Sequence, residues 1–171
     1  LKILLVHPYF LEQRIHDEEI NAPPIGIYYI GAALRAEGHE VEVLNFYNIQ
    51  GSQDQAARLL QEKRPQVVGF SVLHANRWGA VRLAKLVKEL LPEAWVVFGG
   101  VGATFLWRHL LENFPEIDVV VTGEAEATMR ELIRSVEHAR DPDLSGIEGI
   151  SFRKNGGPVH TGNRPLINDL D

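Results

Sequence analysis

Apolar residues along this chain follow two rhythms in turn. Aliphatic runs of four to seven residues, over 2–6, 41–46, 66–72, 94–98 and 118–121, read as strands. They are apolar almost throughout, as expected of strands covered on both faces of a parallel sheet. Between them, apolar residues recur at helical spacing. Ile27, Ile30, Gly31 and Leu34 form one stripe. Ala56, Leu59 and Leu60 form a thin second one within 52–63, and Ala80, Leu83, Ala84, Val87 and Leu90 a third within 76–91. A short helix is predicted over 105–113, and a fifth carries Met129, Leu132, Ile133 and Val136 on one side. The boundaries are marked by Pro23-Pro24 at a helix start, Gly38 after a helix end, and Arg64-Pro65 and Pro92 as stops.

Five strand–helix alternations predict an α/β fold, a doubly wound, Rossmann-like or flavodoxin-like five-stranded parallel sheet with helices on both faces. After Ala139 the rhythm changes. Residues 147–153 and 158–161 flank Asn155-Gly156-Gly157, the signal of a β-hairpin. The predicted organisation is a binding domain over 1–140 and a hairpin extension and linker over 141–171. The polar loop over 11–22 is long for a strand–helix connection, and such loops are often functional.

Composition narrows the partners. The 171 residues fit one domain, and a hydrophobic content of 45% allows a full core. A net charge of -6 argues against nucleic acid, which calls for a basic face. No apolar run approaches the roughly 18 residues of a membrane span, and no signal peptide is visible, so the expected compartment is the cytoplasm. With no cysteine in these residues, disulfides and Cys-ligated clusters are excluded within them.

Doubly wound sheets bind ligands at the carboxyl ends of their strands. Four turns stand there: His7-Pro8-Tyr9, Ser71-Val72-Leu73-His74, Gly99 to Thr104, and Gly123-Glu124-Ala125-Glu126. In the third, Gly99-Gly100-Val101-Gly102-Ala103-Thr104, three glycines leave room for a ligand to approach the backbone, and Thr104 is expected to cap a helix from Phe105. Glu124 and Glu126 suit the positive end of the next helix better than an acid–base pair. No G-x-G-x-x-G follows the first strand and no P-loop is present, so dinucleotide and nucleoside triphosphate sites are disfavoured. A receiver domain would need acidic residues where His7-Pro8 and Ser71-Val72 stand. A flavodoxin would need a Ser/Thr-rich phosphate loop where Pro8-Tyr9-Phe10-Leu11 stands.

Ser71-x-Leu73 precedes Gly99-Gly100 by 25 intervening residues, 74 to 98. Around that pair, in order, stand Pro23-Pro24-Ile25-Gly26, Gly38-His39-Glu40-Val41, Val68-Gly69-Phe70-Ser71, the Gly99–Thr104 loop, residues 118–126 and residues 147–153. Together they resemble the N-terminal B12-binding domain of cobalamin-dependent radical S-adenosylmethionine (SAM) enzymes, over nearly the whole chain. The resemblance implies that Ser71 and the glycine pair line a slot for the dimethylbenzimidazole tail. It places the remaining turn residues, with Asn76, Arg77 and Trp78 at the next helix start, around the corrin. It also implies methylcobalamin as cofactor, with a 4Fe-4S cluster, SAM and a small-molecule or peptide substrate handled by a radical barrel in the same polypeptide.

Methyl transfer is the reaction the resemblance most directly implies, with radical cyclisation or rearrangement as the alternative. A cobalamin sensor or flavodoxin-like module is the non-catalytic alternative. Two departures from the family pattern stand out. Where the family often reads G-G-x-H-A-T, this chain has Gly102 at the histidine position. The D-x-H-x-x-G motif that supplies a lower cobalt ligand elsewhere is absent, which implies base-off cobalamin without that histidine. His74 is then the candidate lower ligand, with Trp78 as an alternative apolar cover.

Overall fold

The computed structural model describes residues 1–9, 24–49, 52–139 and 141–165. The predicted loop over 11–22 lies outside them. Twelve elements follow in chain order: β1 (Lys2–His7), α1 (Ile25–Ala36), β2 (Glu40–Asn45), α2 (Gln53–Lys63), β3 (Val67–Ser71), α3 (Arg77–Leu90), β4 (Trp95–Gly99), α4 (Val101–Asn113), β5 (Val119–Val121), α5 (Glu126–His138), β6 (Ile150–Lys154) and β7 (Gly157–His160).

The strands form one sheet in the order β2-β1-β3-β4-β5-β6-β7. β1 to β5 are parallel, as the apolar runs predict, and β6 and β7 are antiparallel. The hairpin is therefore no separate appendage. β6 hydrogen-bonds to β5, with Val120 opposite Ser151, and extends the sheet to seven strands. Its turn is tight because Asn155 and Gly156 both hold positive φ, 53° and 82°, the conformation that suits the twist of a two-residue hairpin loop.

Two apolar layers cover the sheet. One packs Leu4, Val6, Val68, Phe70, Val96 and Phe98 against α2, α3 and α4. The other packs Ile3, Leu5, Val67, Val97, Val119 and Val121 against α1 and α5. Alternate residues of each strand feed opposite layers, as the two-residue period of a strand requires. Strand order reverses between β1 and β3, so the switch point of the sheet opens there, at the carboxyl ends of those strands.

Local chemistry fixes the helix ends. Ser52 accepts a hydrogen bond from the Gln55 N–H at 3.3 Å and starts α2. Arg64 ends it in the left-handed region. Gly38, with φ +89°, turns the chain from α1 into β2.

One boundary differs from the sequence reading. α4 begins at Val101, not Phe105, and Gly100 rather than Thr104 stands before its first turn. Gly100 has φ +90°, and the Gly102 N–H donates to Val72 O at 2.9 Å, so contact with the neighbouring loop starts the helix early.

Candidate functional site

A cavity of about 240 Å³ lies between the sheet and the pair α1/α5. Its floor is Leu5 of β1, Gly69 of β3 and Val97 of β4, closed by Ile27 and Ile30 of α1 and Met129 of α5. Its mouth holds Ser71, Gly99, Gly100 and the turn Gly123 to Glu126. Whole drug-sized ligands occupy roughly 300–1,000 Å³. This slot thus has room for only part of such a ligand.

The glycines that make the slot differ in what they do. A Cβ on Gly69 would meet Leu5 Cδ2 at 2.8 Å, on the slot side of the sheet. A Cβ on Gly99 would meet nothing nearer than Val121 O at 3.9 Å, so its space is open. Gly100 and Gly102 are different. Their missing side chains make way for the backbone of Val72, Leu73 and His74, at 2.9 Å and 2.7 Å for the nearest atoms. The clearance that the sequence suggests for a ligand is used at these two positions by the protein's own β3–α3 loop.

That loop is tied to the α4 start from both sides. The Val72 N–H donates to Gly99 O at 2.7 Å, and Val72 O accepts from Gly102 N–H. Asn76 is fully buried. Its Oδ1 accepts from the Leu73 N–H at 2.7 Å and its Nδ2 donates to Ser71 O at 3.3 Å. The sequence reading has Asn76 meeting corrin amides or water, whereas its side chain is committed to closing the Ser71–Asn76 loop. Thr104 is a second tie. Its Oγ1 donates to Gly100 O at 3.1 Å and accepts from the Gly123 N–H at 3.2 Å, joining the α4 start to the β5–α5 turn. Glu126 stands in the first turn of α5, where the helix dipole favours a carboxylate.

The remaining sequence candidates fall elsewhere. His7, Pro8 and Tyr9 are buried. Tyr9 belongs to the α2/α3/α4 layer, and its carbonyl oxygen would lie 2.0 Å from a Cβ on Gly79, so α3 presses directly on it. Burial holds the His7 imidazole below its usual pKa, because charge is penalised away from water. His74, Arg77 and Trp78 line a second small pocket, between α3 and α4, with Leu106, His109 and Phe114. There Arg77 lies over the Trp78 ring at 4.9 Å, donates to His74 O, and Trp78 meets Phe114 edge-on at 6.1 Å. The slot and this pocket are on opposite faces of the sheet. Val101 is exposed at the α4 start and Ala103 is buried beneath it. Among the described residues no group of three or more His, Asp or Glu side chains is placed to hold a metal ion.

Sequence reasoning missed the slot floor: Leu5, Ile27, Ile30, Gly69, Val97 and Met129. One signal was there to read. Gly69 interrupts the otherwise bulky run 67–70, and a glycine inside a strand marks a close approach.

A doubly wound sheet with an apolar slot beside its switch point defines a ligand-binding domain. The B12 binding domain family model matches residues 19–133, and the chain belongs to that family. It is 30% identical over 171 residues to an uncharacterised methyltransferase of Pyrococcus horikoshii, spanning 37% of that protein. It is 31% identical over 175 aligned residues to the anaerobic magnesium-protoporphyrin IX monomethyl ester cyclase of Synechocystis, spanning 34% of it.

Among solved structures, the radical SAM methyltransferase TsrM from Kitasatospora setae, bound to tryptophan and a SAM analogue, superposes with a TM-score of 0.77 at 25% identity. That match covers 94% of this chain and 30% of TsrM. The chain spans about a third of the length of these relatives. The residues present fit the tail of B12: Gly99 leaves open space at the mouth, Gly69 gives its side-chain space to Leu5 on an apolar floor, and Ser71 stands at the entrance. No described helix is long and apolar enough to cross a membrane.

Proposed function

We propose that this chain is the cobalamin-holding domain of a B12-dependent radical SAM enzyme acting as a methyltransferase. The observation that carries the reading is the slot between the sheet and α1/α5, with Ser71 and Gly99 at its mouth. Residues 1–140 hold the cofactor, and the chain after the hairpin leads toward a radical barrel in the same cytoplasmic polypeptide. That barrel would carry the 4Fe-4S cluster and SAM and select the small-molecule or peptide substrate.

Bound here, cobalamin supplies a cobalt atom able to carry a methyl group. The chain's own residues do the holding. The slot takes the nucleotide tail, and Ser71 Oγ offers a hydrogen bond at its entrance. The backbone of Gly99 to Gly102 and of Gly123 to Glu126 presents a surface to the corrin. Thr104 ties those two loops together, and Asn76 holds the Ser71–Leu73 segment that packs against the first of them. The cofactor would be held base-off and without a protein histidine on cobalt, a reading supported by His74 lining the α3–α4 pocket with its own neighbours.

Ring closure instead of methyl transfer has support of its own, since the Synechocystis relative is named as a cyclase.

The test is reconstitution with hydroxocobalamin, followed by gel filtration and a visible spectrum. The wild-type protein is expected to retain the corrin chromophore. Gly99→Leu, which fills the mouth where a side chain has room, is expected to lose at least about tenfold in affinity while its circular dichroism is unchanged. Wild-type protein that elutes colourless overturns the proposal. His74→Ala is expected to leave the bound spectrum as it is, and a shifted spectrum would establish His74 as a cobalt ligand.

A further inference from the structure

The slot is graded in chemistry from mouth to floor, and strand register sets the depth. Ser71 pairs with Gly99 at the mouth. Two residues further in, Gly69 pairs with Val97 and with Leu5, roughly 6.6 Å deeper at about 3.3 Å per residue. At that depth the strand side chains are those of Leu5 and Val97, and the helix side chains that close the slot over them are Ile27, Ile30 and Met129, all carbon and sulfur. The strand backbone there is engaged in the β1–β3–β4 ladder. The floor therefore offers no hydrogen-bond donor or acceptor beyond those the fold already uses. The polar groups stand at the mouth: Glu124, Glu126 and Ser71, whose hydroxyl engages no partner among the described residues.

We infer that this slot selects among corrinoids by their lower base, taking those with an apolar bicyclic base of the benzimidazole type and rejecting those with a purine. This rests on the cobalamin reading above. Benzimidazole and purine have the same bicyclic outline, so size does not separate them. Their edges do. A purine carries extra ring nitrogens, and adenine adds an amino group. A base entering from the strand ends presses its leading edge on the floor. Each polar atom stranded there loses its water and gains nothing, which weakens binding by about five- to a hundredfold. The methyl-bearing edge of a dimethylbenzimidazole instead meets Leu5, Ile30 and Met129. Ser71 can satisfy one polar atom of either base, but only at the mouth.

The experiment titrates the 171-residue protein with three probes: cobalamin, the cobamide whose lower base is adenine, and cobinamide, which has no nucleotide tail. Dissociation constants are read from quenching of tryptophan fluorescence. Cobalamin is expected to bind at least about tenfold more tightly than the adenine cobamide, and more tightly than cobinamide. Equal affinity for cobalamin and the adenine cobamide, with both tighter than cobinamide, overturns the selectivity and leaves the cofactor reading intact. Cobinamide binding as tightly as cobalamin overturns any role for the slot. No binding by any of the three overturns the cofactor reading itself.

Met129→Gln assigns the effect to the floor by placing an amide there. The ratio of the two cobamide affinities is measured within one protein, so a general loss of stability cancels. That ratio is expected to shrink severalfold, and an unchanged ratio removes the floor as its source.

Discussion

A Cβ on Gly102 would stand 2.7 Å from the Leu73 carbonyl carbon and 2.9 Å from the His74 nitrogen, backbone atoms held by the Asn76 latch. Alanine favours a helix over glycine by up to about 1 kcal/mol. Overpacking against fixed backbone costs about 1–3 kcal/mol, so the clash wins. Gly102→Ala is expected to lower the urea unfolding free energy despite its better helix propensity. The same contact leaves no room for a side chain at the position where the family pattern named above has histidine.

His7 supplies a pH signature. Its folded-state pKa lies below the unfolded value of about 6.5 because it is buried. Above pH 6.5 both states are neutral and His7 adds no slope. As pH falls below 6.5 the unfolded chain takes up the proton first, so stability declines until the folded pKa is reached. The slope from this one group is at most about 1.4 kcal/mol per pH unit. His7→Gln is expected to flatten the wild-type decline between pH 6.5 and 5, read from urea midpoints.

At the scale of elements, α4 is held at both ends by groups distant in sequence. Carbonyls in its last turn and just beyond its C-terminus meet Arg153 of β6. Nε donates to Leu111 O at 2.9 Å, and the two terminal nitrogens donate to Phe114 O at 2.6 Å and Ile117 O at 2.7 Å. A cation is favoured at that end of a helix, and planar guanidinium reaches three acceptors at once. Arg153→Met leaves three half-buried carbonyls short of donors and is expected to cost about 2–4 kcal/mol in urea unfolding.

This element also marks how far the sequence could be read. Strand and helix order followed from apolar spacing, because burial on both faces leaves its record in each strand. The hairpin turn was readable from Asn155-Gly156, since the positive φ it needs suits those residue types. The early start of α4 was not, because it depends on Val72, nearly thirty residues away. Nor was the pairing of β6 with β5, which needs only a free edge. At the site, Ser71 and Gly99 were legible because small residues at strand ends stand out. Asn76 was legible as a special residue but not as a latch, for its partners are backbone atoms and carry no sequence signal.

For the molecule as a whole, the slot over Leu5 and Gly69 lies at the centre of the sheet. β3 is flanked by β1 and β4, and the α1/α5 layer that would seal it stands off across the slot. On the cobalamin reading proposed above, a base seated in this slot would act as a further core side chain, packed between the sheet and α1/α5. Loading is then expected to stabilise the fold. At a free cobalamin concentration a hundred times the dissociation constant, the native state gains about 2.7 kcal/mol. For a domain of this size that raises the melting temperature by roughly 5–10 °C, measurable by calorimetry with and without cobalamin. Chains that meet no corrinoid spend more of their time open to proteases. On that reading, corrinoid supply is expected to govern how much of the protein survives.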